Sequence, residues 1–259
     1  MIDTHAHLNF TDFVPDINAV ILRAQKAGVK QIINIGSNFL LSQKAITLAE
    51  KHPNLFASVG LHPLDVFDSG FSISDFEKLA KNPKVVAIGE IGLDYTKNSN
   101  VRIQMSKQKK IFEEFLDLAF KLDKPVIIHC RDAEEDLIKI LASRRKTPEG
   151  VWHCFMKDWQ LAQQILDLGF LISFTGAITY NLSKKTKLAI ENIPLGKIMI
   201  ETDCPFMTPL AQREQGIKRC EPAFVVEVAI KIAEIKNLSL INVVKQTTRN
   251  TQNLFVLLK

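Results

Sequence analysis

At 259 residues, with 46% hydrophobic and 24% charged side chains, the chain has the balance of a globular protein. That composition excludes a disordered chain, a fibrous repeat and a coiled coil, and it allows a core that needs neither disulfides nor a partner to fold, so a monomer is plausible. The 33 Lys and Arg against 28 Asp and Glu leave +5, a mild excess that suits a polyanionic partner but falls far short of a dedicated DNA-binding domain.

In chain order, short β-branched runs read as strands at residues 1–4, 31–35, 56–59, 85–88, 125–128, 150–152, 170–174 and 198–202. Amphipathic segments lie between them. Ile111, Phe115, Leu118 and Leu122 recur at i, i+4, i+7 and i+11, Leu161, Ile165 and Leu168 follow the same period, and Val225, Val228, Ile232 and Ile235 continue it. The basic clusters Lys107/Lys109/Lys110, Arg144/Arg145/Lys146 and Lys184/Lys185/Lys187 fall in such segments and read as solvated faces. Ser239 is placed to cap a closing helix that runs through Leu257.

The ends of the eight runs recur roughly every 28 positions, the size of a βα unit. Eight units predict an α/β fold, a single (β/α)₈ TIM barrel spanning residues 1–259, with no linker or low-complexity stretch to mark a second domain. A doubly wound open sheet is the alternative, but the Gly-rich phosphate fingerprint after the first strand is missing. Four cysteines form no CxxC pair, no basic-then-apolar leader opens the chain, and no apolar run reaches the roughly 18 residues of a membrane span. A cytoplasmic protein with reduced thiols, away from membranes, is expected. Cys130, Cys154 and Cys204 directly follow His129, His153 and Asp203, so on a strand they face away from those residues and serve as small buried filler.

Five of the six histidines follow a predicted strand: His5, His7, His62, His129 and His153. Glu90 and Asp203 follow two more. In a barrel the C-terminal strand ends open onto one face, so residues about 200 positions apart converge in one cup. His5 and His7, at i and i+2, share one side of an extended strand. Four imidazoles (His5, His7, His129, His153) and two carboxylates (Glu90, Asp203) make a mixed N/O donor set that suits Zn, Mn, Fe, Co or Ni. Six donors exceed one tetrahedral site, and two ions sharing a bridging carboxylate, Glu90, accommodate them. A lone His after a strand is usually structural; it is their joint placement that argues for metal.

Six stretches carry a family resemblance. They are Ile2-Asp3-Thr4-His5-Ala6-His7-Leu8, Gly60-Leu61-His62-Pro63, Ala87-Ile88-Gly89-Glu90-Ile91-Gly92-Leu93-Asp94-Tyr95, Pro125-Val126-Ile127-Ile128-His129-Cys130-Arg131-Asp132-Ala133, Gly150-Val151-Trp152-His153-Cys154-Phe155, and Ile200-Glu201-Thr202-Asp203-Cys204-Pro205. In this order along the chain they resemble the TatD-related metal-dependent deoxyribonucleases, a branch of the amidohydrolase-like barrels. The resemblance implies two divalent ions (Zn, Mn, Mg, Ni or Co), with His5, His7 and Asp203 on one, His129 and His153 on the other, and Glu90 on both. It places His62 near the substrate phosphate. Arg131 either joins it there or forms a structural ion pair with Asp132 or another acid. Glu201 either orients ligands or fills a buried structural role.

The implied activity is an exonuclease on DNA, with single-stranded ends as the expected substrate. Two ions would stabilise the attacking and leaving oxygens of an in-line displacement, and Asp203 would position and deprotonate the attacking water. Glu90 stands where many relatives in the wider superfamily bridge their metals with a carbamylated Lys. The segment Thr96-Lys97-Asn98-Ser99-Asn100, Met156-Lys157 and Cys220 depart from the family pattern, which bears on substrate choice and not on the ligands. Two rival readings stay open. One is a metal-dependent amide or ester hydrolase acting on a small molecule or an aminoacyl-tRNA. The other is a non-enzymatic binding protein on the same scaffold.

Overall fold

The computed structural model describes residues 1–66, 70, 72–96, 101–180 and 182–256. The β-branched runs become eight parallel strands: β1 (Ile2–Ala6), β2 (Gln31–Asn34), β3 (Leu55–Val59), β4 (Val85–Asp94), β5 (Val126–Arg131), β6 (Gly150–Trp152), β7 (Leu171–Phe174) and β8 (Ile198–Ile200). They pair strictly in sequence order. The helices between them are α1 (Ile17–Lys26), α2 (Phe39–Lys51), α3 (Ile73–Ala80), α4 (Val101–Lys121), α5 (Glu134–Ser143), α6 (Trp159–Asp167) and α7 (Lys184–Asn192). After β8 come α8 (Leu210–Glu214), α9 (Val225–Lys236) and α10 (Leu240–Phe255). This is a (β/α)₈ TIM barrel. The expected end of the closing helix at Leu257 lies outside the described residues.

The barrel seam closes just past the short β8. Ala6 bridges Cys204, His7 N–H donates to the Cys204 carbonyl at 2.8 Å, and Asp203 N–H donates to the His5 carbonyl at 2.8 Å. Asp3 reinforces the seam, accepting from Thr202 N–H at 2.9 Å and from Thr202 Oγ at 2.6 Å. Two layers of apolar side chains result. Helix faces such as Phe115 and Leu118 of α4, Ile165 of α6, and Val225, Val228, Ile232 and Ile235 of α9 bury against the outside of the sheet. Inside, Ile2, Ile33, Phe56, Ala87, Ile127, Val151 and Met199 pack with Leu254 and Phe255 of α10. Burying each large side chain of these layers contributes on the order of 1.5–3 kcal/mol. Asn250 of α10 donates to the carbonyls of Leu195 and Ile198, which fixes that helix beneath the start of β8.

Alternation along a strand then aims the site. Ile127, Val151 and Met199 point inward, so the residues two further on, His129, His153 and Glu201, point inward as well, one layer nearer the C-terminal mouth.

Several strands end elsewhere than expected: β1 runs to Ala6, β4 to Asp94 and β5 to Arg131, while β8 stops at Ile200. The fourth run was expected to stop at residue 88, before Gly89, but β4 continues to Asp94. Its register against β5 shifts between Ile88 and Ile91, a bulge that brackets Glu90 and turns its side chain. A second shift between Asp3 and Ala6 of β1 brackets His5. Glycines that read as strand breakers thus shape a bulge, and Glu90, His5 and His129 lie within strands, not after them. At the barrel seam, β8 ends at Ile200 and not at residue 202, and Asp203 beyond it takes φ +55°.

Candidate metal centre

Six side chains from five strands or their ends meet at the C-terminal mouth. His5 Nε2 and His7 Nε2 approach to 3.2 Å. Around them stand Glu90 Oε2, at 3.5 Å from His5 and 3.8 Å from His7, and Asp203 Oδ1, at 3.6 and 3.4 Å. A second group forms on the other Glu90 oxygen: His129 Nδ1 and His153 Nε2 each lie 2.9 Å from Oε1 and 3.2 Å from one another. The imidazoles of His5 and His153 stack at 4.2 Å between centroids and join the two groups. Glu90 therefore offers one oxygen to each pair of histidines.

Supporting hydrogen bonds decide which nitrogen faces the centre. His129 Nε2 lies 3.1 Å from Asp94 Oδ2, which assigns the proton to Nε2 and leaves the Nδ1 lone pair toward Glu90. Asp94 is itself held by Gln108 of α4, whose side-chain amide accepts from Asp94 N–H at 2.9 Å and donates to the Asp94 carbonyl at 3.0 Å. Glu201 Oε1 sits 3.5 Å from His153 Nδ1 and accepts the Cys154 N–H at 2.8 Å. Of the two roles expected of Glu201, the buried, hydrogen-bonded one is seen, with its carboxylate also near His153. Asp94 received no role from the sequence. Its position four residues after Glu90 on one strand was the available signal, obscured by Gly92 between them.

Burial and mutual charge set the electrostatics. Burial opposes the Glu90 charge, yet His153, His62, His5 and a hydrogen bond from His129 hold its carboxyl well below the usual range. Burial likewise opposes charge on His153, but Glu90 and Glu201 pull its pKa well above that of a free imidazole. His5 is pushed down by burial and by the charge on His153. The cluster thus carries ionised carboxylates among imidazoles that cannot all hold protons. The facing Nε2 atoms of His5 and His7, 3.2 Å apart beside two carboxylate oxygens, form an arrangement that a cation satisfies. Sets able to hold a metal include His5–His7–Glu90 and Glu90–His129–His153, so the donor chemistry fits.

His62 reaches the same mouth from the end of β3, with Nε2 3.7 Å from Glu90 Oε1. Its Nδ1 accepts Leu64 N–H at 3.2 Å, so the Nε2 proton faces the centre. Burial lowers its pKa to about 4, which leaves the ring neutral at pH 7, a hydrogen-bond donor without charge. Arg131 ends β5 and is exposed. The ion pair with Asp132 that was one of its two expected roles is absent: Arg131 makes no ion pair with any described residue, and Asp132 lies 3.6 Å from Lys157 Nζ instead. Cys204 and Cys220 are buried as filler, while Cys130 and Cys154 are half-buried, and all four are free thiols.

A parallel barrel with a His/carboxylate cluster at its C-terminal mouth defines the class of metal-dependent barrel hydrolases. The chain belongs to the TatD related DNase family, whose profile matches residues 2–256. It is 36% identical over 257 residues to YabD of Bacillus subtilis, described as an uncharacterized metal-dependent hydrolase, covering 98% of each chain. It is 33% identical over 260 residues to a protein of Erwinia tasmaniensis named 3'-5' ssDNA/RNA exonuclease TatD, covering 98% of this chain and 99% of that one. Among solved structures, that of YjjV, a TatD homologue from Escherichia coli, matches with a TM-score of 0.90 and 31% identity over 100% of this chain and 98% of the other. The protein is a metal-dependent hydrolase of this family. Among the described residues no helix is long and apolar enough to cross a membrane.

Proposed function

We propose that residues 1–259 act as one catalytic domain, a two-metal exonuclease that trims single-stranded DNA ends, working as a cytoplasmic monomer. One observation carries the reading: the two oxygens of Glu90 face two separate pairs of imidazole nitrogens, as a carboxylate shared between two cations requires. His5, His7, Glu90 and Asp203 would hold one ion, and Glu90, His129 and His153 the other. Zn, Mn, Mg, Ni and Co are the candidates. Bound there, two divalent cations would offset the charge that builds on the attacking and leaving oxygens of a phosphodiester and make a water nucleophile available near neutral pH.

The chain's own groups do the rest. Asp203 presents Oδ1 to His5 and His7, and its other oxygen is the acceptor for the proton of the attacking water. His62 donates its Nε2 proton to a nonbridging phosphate oxygen, and its neutral state keeps it from competing with the cations. Arg131, charged and exposed at the rim, meets the next phosphate along the strand. The exonuclease names borne by the Erwinia relative and by a 33% identical Edwardsiella piscicida protein support the choice of nucleic acid, as does the net charge of +5.

Metal analysis of the purified protein, run beside digestion of end-labelled single-stranded DNA, tests this reading. About two equivalents of metal and stepwise shortening from one end are expected. Turnover of generic esters or amides with intact DNA would overturn the nuclease assignment, and DNA binding without cleavage under any divalent metal would overturn the enzyme.

Asp94 supplies a finer check. Asp94→Asn keeps the shape but replaces the carboxylate oxygen that holds His129 in the Nε2–H tautomer. Metal affinity in a chelator competition should fall about 10- to 100-fold, the usual effect of losing such a support. Unchanged affinity would remove Asp94 from the centre.

A further inference from the structure

Two phenylalanines flank the mouth in matching positions. Phe10 lies three residues after His7 and Phe206 three after Asp203. Each is tied to its predecessor by a backbone turn, with Phe10 N–H donating to the His7 carbonyl at 3.1 Å and Phe206 N–H to the Asp203 carbonyl at 3.0 Å. The Phe10 ring stacks on the His7 imidazole at 4.7 Å and 29°. Phe206 stands nearly perpendicular to Phe10, at 6.1 Å and 78°, and 6.4 Å from the His7 ring. It is nevertheless 51% exposed, and its neighbour Met207 is 37% exposed. A large apolar ring thus stands half in water beside the candidate metal centre, with other rings on one side of it.

Resting on the nuclease reading above, we propose that Phe206, backed by Phe10, is a stacking subsite for the nucleobase next to the scissile phosphate. A phosphodiester seated between Glu90 and Asp203 carries its flanking base within one nucleotide's length, and the Phe206 ring stands 6.4 Å from that of His7 in the same centre. The wall is built of carbon, with no donor or acceptor to read a base edge, so it accepts any base by its π-face. An end-trimming enzyme that must proceed through arbitrary sequence needs this tolerance. Because both rings are anchored through the backbone to residues of the metal centre, a stacked base would also register the phosphate on that centre, and little ordering would be lost on binding.

The test uses short single-stranded oligonucleotides bearing 2-aminopurine at the terminal or the penultimate position, with phosphorothioate linkages that resist cleavage, titrated with the metal-loaded protein. Wild type should quench the fluorescence at one of these positions. Phe206→Ala and Phe206→Leu should weaken that quenched complex by about 5- to 150-fold, the range for losing one base stack, and Phe206→Trp should restore it. In the metal-loaded enzyme the same substitutions should lower kcat/KM by a similar factor, and only on ends that carry a base. An oligonucleotide made abasic at the position that is quenched should not distinguish the variants from wild type. Absence of quenching at both positions, or an equal loss on strands abasic at the quenched position, would overturn the subsite. A wild type that shortens no oligonucleotide yet quenches 2-aminopurine would instead overturn the nuclease reading and leave the stacking site standing. Phe206 is half in solvent, so its replacement leaves the core intact, which circular dichroism verifies.

Discussion

Glu90→Gln should abolish nearly all turnover, with kcat/KM falling by at least about 10³-fold, the scale on which losing one member of a catalytic unit is felt. Bound metal should fall with it. Gln matches Glu in size, so the bulge between Ile88 and Ile91 can still form. The amide, however, has one acceptor oxygen and one NH₂ donor. Whichever way it turns, it presents N–H either to the nitrogens of His129 and His153 or to those of His5 and His7, which are 2.9 Å from Oε1 and 3.5–3.8 Å from Oε2. One metal position then meets a donor where it needs a lone pair, and the negative charge shared by both is gone. His153 also loses its strongest charged partner, so its raised pKa should fall back. Metal analysis after dialysis, kinetics and a melting curve of the same preparation separate these effects. A folded variant with full metal and full turnover would refute the bridging role.

Gly92→Ala should be the most destabilising single methyl addition in the chain, costing more than about 4 kcal/mol or preventing folding altogether. Gly92 pairs in register with His129 across β4 and β5. Its φ of +152° is one that L side chains rarely adopt, and an added Cβ would lie 1.8 Å from the His129 carbonyl oxygen and 2.8 Å from its carbon. Those are backbone atoms of a central strand, so no rotamer change relieves the clash. The two strands must part at the point that sets Glu90, Asp94 and His129 relative to one another. Gly216→Ala is the control. It also has positive φ, +79°, but nothing lies within 4 Å of its added carbon. It should cost only about 1 kcal/mol, the price of the conformation alone. Chemical denaturation of the two variants compares them directly, and equal losses would show that the close approach at Gly92 is unimportant.

Much of the barrel was legible because its signals are local. A β-branched run of four or five residues states a strand wherever it sits, and the roughly 28-residue recurrence of such runs states a βα repeat. The His-x-His of His5 and His7, and the histidines that close the fifth and sixth runs, could be read without any contact information. The lengths of β4 and β8 were not legible. Gly89 and Gly92 break a strand by propensity, and only pairing with β5 shows that they form a bulge and a close approach. Asp203 leaves the extended path because His5 on the neighbouring strand, and Thr202 held by Asp3, fix the backbone on either side of the turn. No window of sequence contains both partners, which are 198 or more positions apart.

That six candidate donors gather at the mouth of a barrel followed from the sequence by itself, since each stands at or just past the end of a β-branched run. Only the tertiary structure decided how the donors divide. Barrel closure through Ala6 and Cys204 brings Asp203 to the pair formed by His5 and His7, and the β4 bulge turns Glu90 so that each oxygen meets a different pair. The same closure makes His62 a neutral donor by burying it, sets Asp94 behind His129, and leaves Phe206 open beside the centre. Proton positions and exposure depend on neighbours that arrive from distant parts of the chain, and those neighbours exist only once the barrel has closed.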